Sequence, residues 1–317
     1  MPRELKPVGE VGAGPSIGLA LGGGAARGMV HVGALKAIEA SGSRLAGLAG
    51  TSYGAIIGAL YALSGSALEL ERVIRSADIG ELWRQAFDFG LHDGALIGGK
   101  RLSAWLDRKF FFGATFAEAQ VPLVIASTDL TSGRLAVLDS GSIAEAVRAS
   151  CALPGLFAPV RLQGRVLIDG GLVETVPFKA LAGLDADIGI GVHAGVDVSH
   201  SRFILAIRRF AASSRGRSLY RRASGVAPSG PFGQMVKGLS VSLRSYSRPV
   251  RAPRGSYLLS VDPEIAWWDF HRSPQAIAAG ERAMDELLAS IDAAAASVVA
   301  TRTANLATGA RRRLEVS

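Results

Sequence analysis

The stretch Leu48-Ala-Gly-Thr-Ser-Tyr-Gly-Ala55 organises this chain. Within it, Gly50, Ser52 and Gly54 stand in the spacing Gly-x-Ser-x-Gly of a nucleophile elbow. A serine in such a turn sits between a strand and a helix, and the flanking glycines let the backbone fold tightly. The turn lifts the hydroxyl out of the sheet to a helix N-terminus, where the helix dipole favours a developing oxyanion. The flanks fit this reading. Arg44 to Ala49 reads as a short buried strand, and Ala55-Ile-Ile-Gly-Ala-Leu-Tyr-Ala-Leu63 as a buried helix. By itself the spacing describes an ordinary strand–helix turn equally well, so the decision falls to the rest of the chain.

The 317 residues suffice for one large domain or two ordinary ones, and 49% of them are apolar, enough for a sizeable core. Cys151 is the single cysteine, which rules out an internal disulfide and is compatible with a reducing compartment. No Cys/His cluster has metal-ligand spacing, so no metal is expected. The formal charge of +8 points to an anionic partner. Met1 to Pro15 has no apolar core of a signal peptide, and no run of apolar residues is long enough for a membrane span. A cytoplasmic protein, peripheral at a membrane, is the expectation.

Residues 1–15 are rich in Pro and Gly and read as a loose lead-in. Ser16 to Leu21 reads as a buried strand running into Gly22-Gly-Gly-Ala-Ala-Arg-Gly28, followed by a helix from Met29 to Ala40. A strand, a glycine loop and a helix opening present unpaired backbone N–H groups, an anion-binding arrangement. The serine elbow follows after the second strand. Strand–helix–strand–helix at this spacing predicts a parallel α/β sheet with its site at the carboxyl ends of the strands. Residues 67–112 read as mainly helical (Ala67 to Ser76, Lys100 to Lys109), joined by a connection containing Trp83, Phe87 and Phe89. Those aromatics suit core packing better than an acyl pocket. Val121 to Thr128 reads as a central strand with Arg134 to Leu138 beside it, and Ile143 to Ser150 as a short helix. Arg165 to Ile168 is a strand that delivers Asp169-Gly170-Gly171, and Asp187 to Val192 is a further apolar strand.

The character changes at 198–254, where arginines recur amid Ser, Gly and Pro and no Asp or Glu occurs. This basic insertion suits an anionic membrane surface. No nucleic acid is expected, because no recognised helix or finger motif accompanies the charge. Gly255 to Val261 returns to strand character. Ser273 to Ala296 reads as an amphipathic helix with Pro274 in its first turn, and 301–317 as a frayed tail. The main domain is therefore expected over 16–300.

Three features converge: a glycine loop after the first strand, a serine elbow after the second, and an Asp-Gly-Gly turn after a later one. The glycine loop is a poor dinucleotide fingerprint, since Ala25 interrupts it and the space about twenty residues on holds the elbow instead of an acidic residue. It is no P-loop, lacking Gly-Lys-Ser/Thr. An oxyanion hole fits it better. At these residues the chain resembles the patatin-like phospholipase family. Leu21-Gly-Gly-Gly-Ala-Ala-Arg-Gly-Met-Val-His-Val-Gly33 resembles its oxyanion segment, and Gly50-Thr-Ser-Tyr-Gly54 its elbow. Arg148-Ala-Ser-Cys-Ala-Leu-Pro-Gly-Leu-Phe157 resembles its helix and loop ahead of the last site strand. Asp169-Gly-Gly-Leu-Val-Glu-Thr-Val-Pro177 resembles its Asp-Gly-Gly motif. The resemblance covers 16–195 and, more loosely, 255–295; the basic insertion lies outside it.

The resemblance implies a three-layer α/β/α fold with a central, mostly parallel sheet. It implies a cofactor-free hydrolase of lipid carboxylic esters, phospholipids among them, working through a Ser52–Asp169 dyad. Asp169 would act as general base, its pKa raised by burial. Backbone N–H groups of Gly23, Gly24 and Ala25 would hold the oxyanion with help from Gly28 and from the Tyr53 N–H, and Arg27 would add positive potential. Gly50 and Gly54 would shape the elbow, and Gly170 and Gly171 the acid turn. Two departures stand out. Ala25 replaces a glycine, so a positive φ there would be costly. Tyr53 is bulky for an elbow and is expected to narrow the entrance. A Ser-Asp-His hydrolase is the rival, because His193, His200 and His271 follow Asp169. A non-catalytic lipid-binding protein is another, although both dyad residues are present.

Overall fold

A computed structural model describes residues 15–76, 88–92, 95–195, 245–246, 248–266 and 268–314, with side chains to residue 294. The lead-in, Trp83, Phe87, His200 and most of the basic insertion lie outside the described residues.

The strands are β1 (Ile17–Leu21), β2 (Leu45–Thr51), β3 (Phe89–His92), β4 (Ala95–Ile97), β5 (Leu123–Asp129), β6 (Leu135–Leu138), β7 (Val160–Leu162), β8 (Arg165–Asp169), β9 (Ile188–His193) and β10 (Ser256–Ser260). The helices are α1 (Val30–Ala40), α2 (Tyr53–Ser64), α3 (Ala67–Arg75), α4 (Lys100–Leu106), α5 (Ile143–Ser150), α6 (Phe178–Leu181) and α7 (Ser273–Leu314). Among the described residues the main sheet runs β10-β9-β1-β2-β5-β8-β7, with β6 also on β5. The first five are mutually parallel. Strands β6 and β8 run antiparallel to β5, and β7 antiparallel to β8. The expected mixed α/β architecture with a mostly parallel sheet is therefore present.

Residue alternation decides what covers each face. Leu19, Leu21, Leu48 and Ile125 belong to the larger apolar cluster, with residues of α1, α2, α5 and α7. Ala20, Ala49, Val124 and Ala126 point the other way, onto Val176, Phe178 and Leu181. Small residues on that second face let the segment around α6 lie close to the sheet.

The register along β5 positions the site. Ala126 is paired with both Thr51 of β2 and Val137 of β6, so β2 and β6 flank opposite edges. Ser127 is paired with both Asp169 of β8 and Ala136 of β6. Strands β2 and β8 therefore share one edge of β5 and meet end to end. The hairpin that turns β8 into this position has Gln163 at φ 52° and Gly164 at φ 73°. Positive φ at both central residues is the two-residue turn whose twist matches antiparallel strands.

Two elements differ from the sequence reading. The connection after α3 contains the antiparallel β3–β4 hairpin, where the sequence reading had mainly helix. Helix α7 continues to Leu314, past the expected end at Ala296. Its later sequence is alanine-rich, and Arg311, Arg312 and Arg313 sit where the helix dipole favours cations. No helix among the described residues is long and apolar enough to cross a membrane.

Helices α1 and α7 approach at glycines from both sides. A Cβ on Gly33 would collide with the backbone at Ile277, and one on Gly280 with the backbone at Val30. Replacing Gly280 with Ala should lower stability by about 1–3 kcal/mol, the range for overpacking a close contact. Urea denaturation measures this, and an unchanged midpoint would contradict so close a crossing.

Candidate active site

The elbow is built by sterics. Ser52 adopts φ 53° and ψ −120°, a conformation that costs a non-glycine residue about 1–3 kcal/mol. A Cβ on Gly50 would lie 2.5 Å from the Ala55 Cα, and one on Gly54 would strike the Leu21 and Gly22 carbonyls. Helix α2 begins immediately, with the Ala55 N–H donating to the Ser52 carbonyl at 2.9 Å. The strained turn is held from the side. The Ser52 N–H donates to Ser150 Oγ at 2.8 Å, and Ser150 Oγ donates to the Ala126 carbonyl at 2.6 Å. Thus α5 ties the elbow to β5. Arg148, two residues back on α5, is buried and donates to the Gly98, Gly99 and Ala158 carbonyls, anchoring the helix.

Asp169 ends β8 and is 1% exposed. Its Oδ1 accepts from the Gly171 N–H at 2.8 Å and from the Tyr246 hydroxyl at 2.6 Å. Gly170 is forced at the turn, since a Cβ would strike the Ala126 carbonyl. Burial lifts the Asp169 carboxyl to about 6, while bonds from Tyr246, Gly171 and Ser52 pull the other way. Ser52 and Asp169 are thus brought together, with the serine hydroxyl among the groups acting on the carboxyl. Cys151 lies beside them. Burial and the Asp169 charge push its thiol up to about 12, so it stays protonated.

The glycine loop keeps only part of its expected donor set. The Gly22 N–H donates to the Val192 carbonyl at 3.0 Å and the Gly23 N–H to the Thr175 carbonyl at 3.2 Å. Gly23 is therefore spent on holding the loop and is corrected as a donor. Among the described residues, no hydrogen bond occupies the N–H of Gly24, Ala25 or Tyr53. Ala25 does adopt the costly conformation, at φ 48°. Buried His31 donates through Nε2 to the Gly22 carbonyl at 2.8 Å, and burial lowers its pKa to about 4, so the ring is neutral.

Other candidates sit differently from expectation. Arg27 is buried and forms an ion pair with Asp262, which offsets its charge. Gly28 makes room for Tyr53, whose ring a Cβ there would meet at 2.6 Å. Tyr53 packs 6.0 Å from Phe270, centroid to centroid, and its hydroxyl donates to Met29 Sδ. The half-buried ring packs against the larger apolar cluster. His193 has its pKa lowered by burial and then by Arg27. Exposed His271 pairs with Asp269 at 2.7 Å. Among the described residues no histidine acts on the Asp169 carboxyl.

Sequence reasoning missed Ser150 and Tyr246. Ser150 lies within the stretch 148–157, but only the fold turns its hydroxyl onto the elbow. Tyr246 lies 77 residues from Asp169 in sequence, and no local pattern marks it.

This geometry can be set beside known proteins. The family model described as patatin-like phospholipase matches residues 19–182, half of the chain. The chain belongs to the patatin-like phospholipase family. The match spans the glycine loop, the elbow and the Asp-Gly-Gly turn. An uncharacterized NTE family protein of Mycobacterium tuberculosis is 33% identical over 178 residues, covering 56% of this chain and 49% of that protein. The lysophospholipase NTE1 of Yarrowia lipolytica is 31% identical over 185 residues, 58% of this chain and 13% of that protein. This patatin-like chain thus spans about half the length, or less, of these curated relatives. Among solved structures, VipD from Legionella pneumophila aligns with 87% of this chain and 67% of its own, at TM-score 0.44 and 14% identity.

The buried carboxyl has a stability signature. Its pKa is raised from 3.8 to about 6 on folding, so the folded state holds a proton that the unfolded state has released. Stability is therefore greatest below the unfolded value and falls as pH rises through about 6. Replacing Asp169 with Asn should flatten this window and stabilise the protein at pH 8, on the order of 2–3 kcal/mol from the size of the shift. Thermal melts of both proteins at pH 4 and pH 8 measure the difference; equal pH slopes would contradict it.

Proposed function

We propose that this protein is a serine acyl hydrolase that cleaves carboxylic esters of phospholipids or lysophospholipids. The observation that carries the reading is the convergence of Ser52, in its strained elbow, with buried Asp169 at the meeting ends of β2 and β8. Similarity to a lysophospholipase over the same region supports the substrate class.

In this reading Ser52 Oγ attacks the ester carbonyl carbon while its proton passes to the Asp169 carboxylate. A carboxyl with a pKa of about 6 is a better base at neutral pH than an ordinary aspartate and is still mostly ionised. The tetrahedral oxyanion takes the free N–H groups of Gly24 and Ala25, with Tyr53 N–H at the start of α2 as a further donor. Collapse expels the alcohol, which receives the proton from Asp169 and leaves an acyl-serine ester. Water then attacks that ester, Asp169 takes its proton, and the fatty acid departs as Ser52 regains its hydrogen. The positive φ of Ser52 and of Ala25 fits a pre-formed site held by its surroundings.

A cavity of about 310 Å³ lies beside the acid turn, lined by Gly171, Val176, Phe178, Lys179, Arg248 and Arg251 together with Glu174; neither Ser52 nor Asp169 lines it. The basic insertion at 198–254 supports docking of the whole molecule on an anionic membrane.

Ser52→Ala and Asp169→Asn should each lower kcat about 1,000-fold or more against a panel of lysophospholipid, phospholipid and simple ester, with folding intact. Wild-type kcat/KM should rise with pH through about 6 as the base ionises. Full activity of the Ser52 variant would end the hydrolase reading. Binding to vesicles containing phosphatidylserine should fall steeply as salt is raised, as counterion screening requires. Sedimentation that ignores salt would remove the electrostatic docking.

A further inference from the structure

We infer that Tyr246 is a positioning residue for the acid of the dyad, reaching in from the far end of the basic insertion to orient the Asp169 carboxylate toward Ser52. This rests on the hydrolase reading above.

The placement is specific. Tyr246 follows Ser245, which is buried, and the pair is tied to the next stretch by the Arg248 N–H donating to the Ser245 carbonyl at 3.1 Å. Its ring enters between the oxyanion loop and the acid turn. A Cβ on Gly23 would stand 2.8 Å from the ring carbon Cε1, and a Cβ on Gly171 would overlap the phenol. The two glycines thus form a slot that admits an aromatic ring and nothing on their own Cα atoms. At the end of the slot the phenol donates to Asp169 Oδ1 at 2.6 Å, the same oxygen that takes the Gly171 N–H. Both donors converge on one oxygen, and neither bonds Oδ2. Two donors on Oδ1 restrain rotation of the carboxylate and leave Oδ2 free of both.

The phenol suits a donor's role. Burial and the facing Asp169 charge hold it well above its ordinary pKa, so it does not titrate in the working range. Donation stabilises the carboxylate form of Asp169 and pulls its pKa down against the effect of burial. The groups that hydrogen-bond the Asp169 carboxyl among the described residues come from three elements, Gly171 from the acid turn, Ser52 from the elbow, and Tyr246, with the protonated Cys151 thiol facing it from the end of α5. Tyr246 is the one contributed by sequence outside the matched 19–182 region. Through it the end of the insertion takes part in positioning the acid.

The test reads the acid limb of the pH profile of kcat/KM on a soluble ester, which bypasses membrane docking. Tyr246→Phe keeps the ring in its slot and removes the donor. The limb should then move up by about one pH unit, the worth of a hydrogen bond to a charged group, with kcat/KM at pH 6 down about five-fold. Substituting 3-fluorotyrosine at 246 sharpens the acidity of the phenol without changing its shape, so the limb should move the opposite way, to lower pH. A structural role alone moves neither limb. If the phenylalanine variant fails to fold, the fluorinated protein decides by itself. Limbs superimposable on wild type in the folded variants overturn the inference. Ser52→Ala assayed alongside separates the two readings: an active Ser52 variant sinks the hydrolase reading, whereas an inactive one with unshifted Tyr246 limbs sinks this inference alone.

Discussion

One edge of β5 carries two strands, and the site depends on that arrangement. Strand β2 ends opposite Ala126 and β8 ends opposite Ser127, the next residue along. Parallel pairing brings β2 up the edge, and antiparallel pairing brings β8 down it. Their last residues meet where the two pairings stop, with Ser52 just past Thr51 and Asp169 at the tip of β8. Nothing in the local turns alone creates this juxtaposition. A shift of either strand by one residue would turn its terminal side chain to the opposite face of the sheet. The Ala126 carbonyl at the junction is occupied by Ser150, which also holds the Ser52 N–H. The same hydrogen-bonded relay therefore seals the gap between the strands and braces the elbow.

The site concentrates cost where the chemistry is proposed to occur. Ser52 and Ala25 both hold positive φ without being glycine, and Asp169 is buried at 1% exposure. Each of these opposes folding by a few kcal/mol at most. The surrounding structure over-determines them. Gly54 locks the elbow against β1, His31 and the Thr175 and Val192 carbonyls fix the glycine loop, and Arg148 anchors α5 through three carbonyls. A large apolar cluster joins α1, α2, α5 and α7 on one face of the sheet and supplies the surplus. Rigidity of the backbone and a raised carboxyl pKa thus have the same origin, a dry and tightly packed junction.

Electrostatics within the site is settled by partners more than by charge count. Arg27 was expected to lend positive potential to an oxyanion, but its pairing with Asp262 offsets that charge. The N–H groups of Gly24, Ala25 and Tyr53, the proposed oxyanion donors, are neutral. Neutral His31 braces the loop without adding charge. In the proposed hydrolase this suits Asp169 as base, because a free arginine nearby would favour its charged form and lower its pKa.

Much of this was legible in the residues. The Gly-x-Ser-x-Gly spacing, the glycine loop after β1 and the Asp-Gly-Gly turn after β8 are local devices, and local sterics force what they encode. The mostly parallel sheet followed from apolar runs separated by helices. A positive φ at Ala25 was expected to be costly, and Ala25 adopts one, at φ 48°. The donor set was not legible, because whether Gly23 faces a substrate or the Thr175 carbonyl depends on where residues 150 positions later pass. The orientation of Tyr53 depended likewise on Gly28 and Phe270. Ser150 and Tyr246 carry no motif of their own; a hydroxyl acquires its role only when the fold aims it. The sequence by itself determined the turns and the helix starts, since these follow from backbone sterics over a few residues, and the family resemblance singled out Ser52 and Asp169. Only the tertiary structure decided which edge of β5 joins Ser52 to Asp169 and which distant hydroxyls hold them, since those depend on strand register and packing across the whole chain.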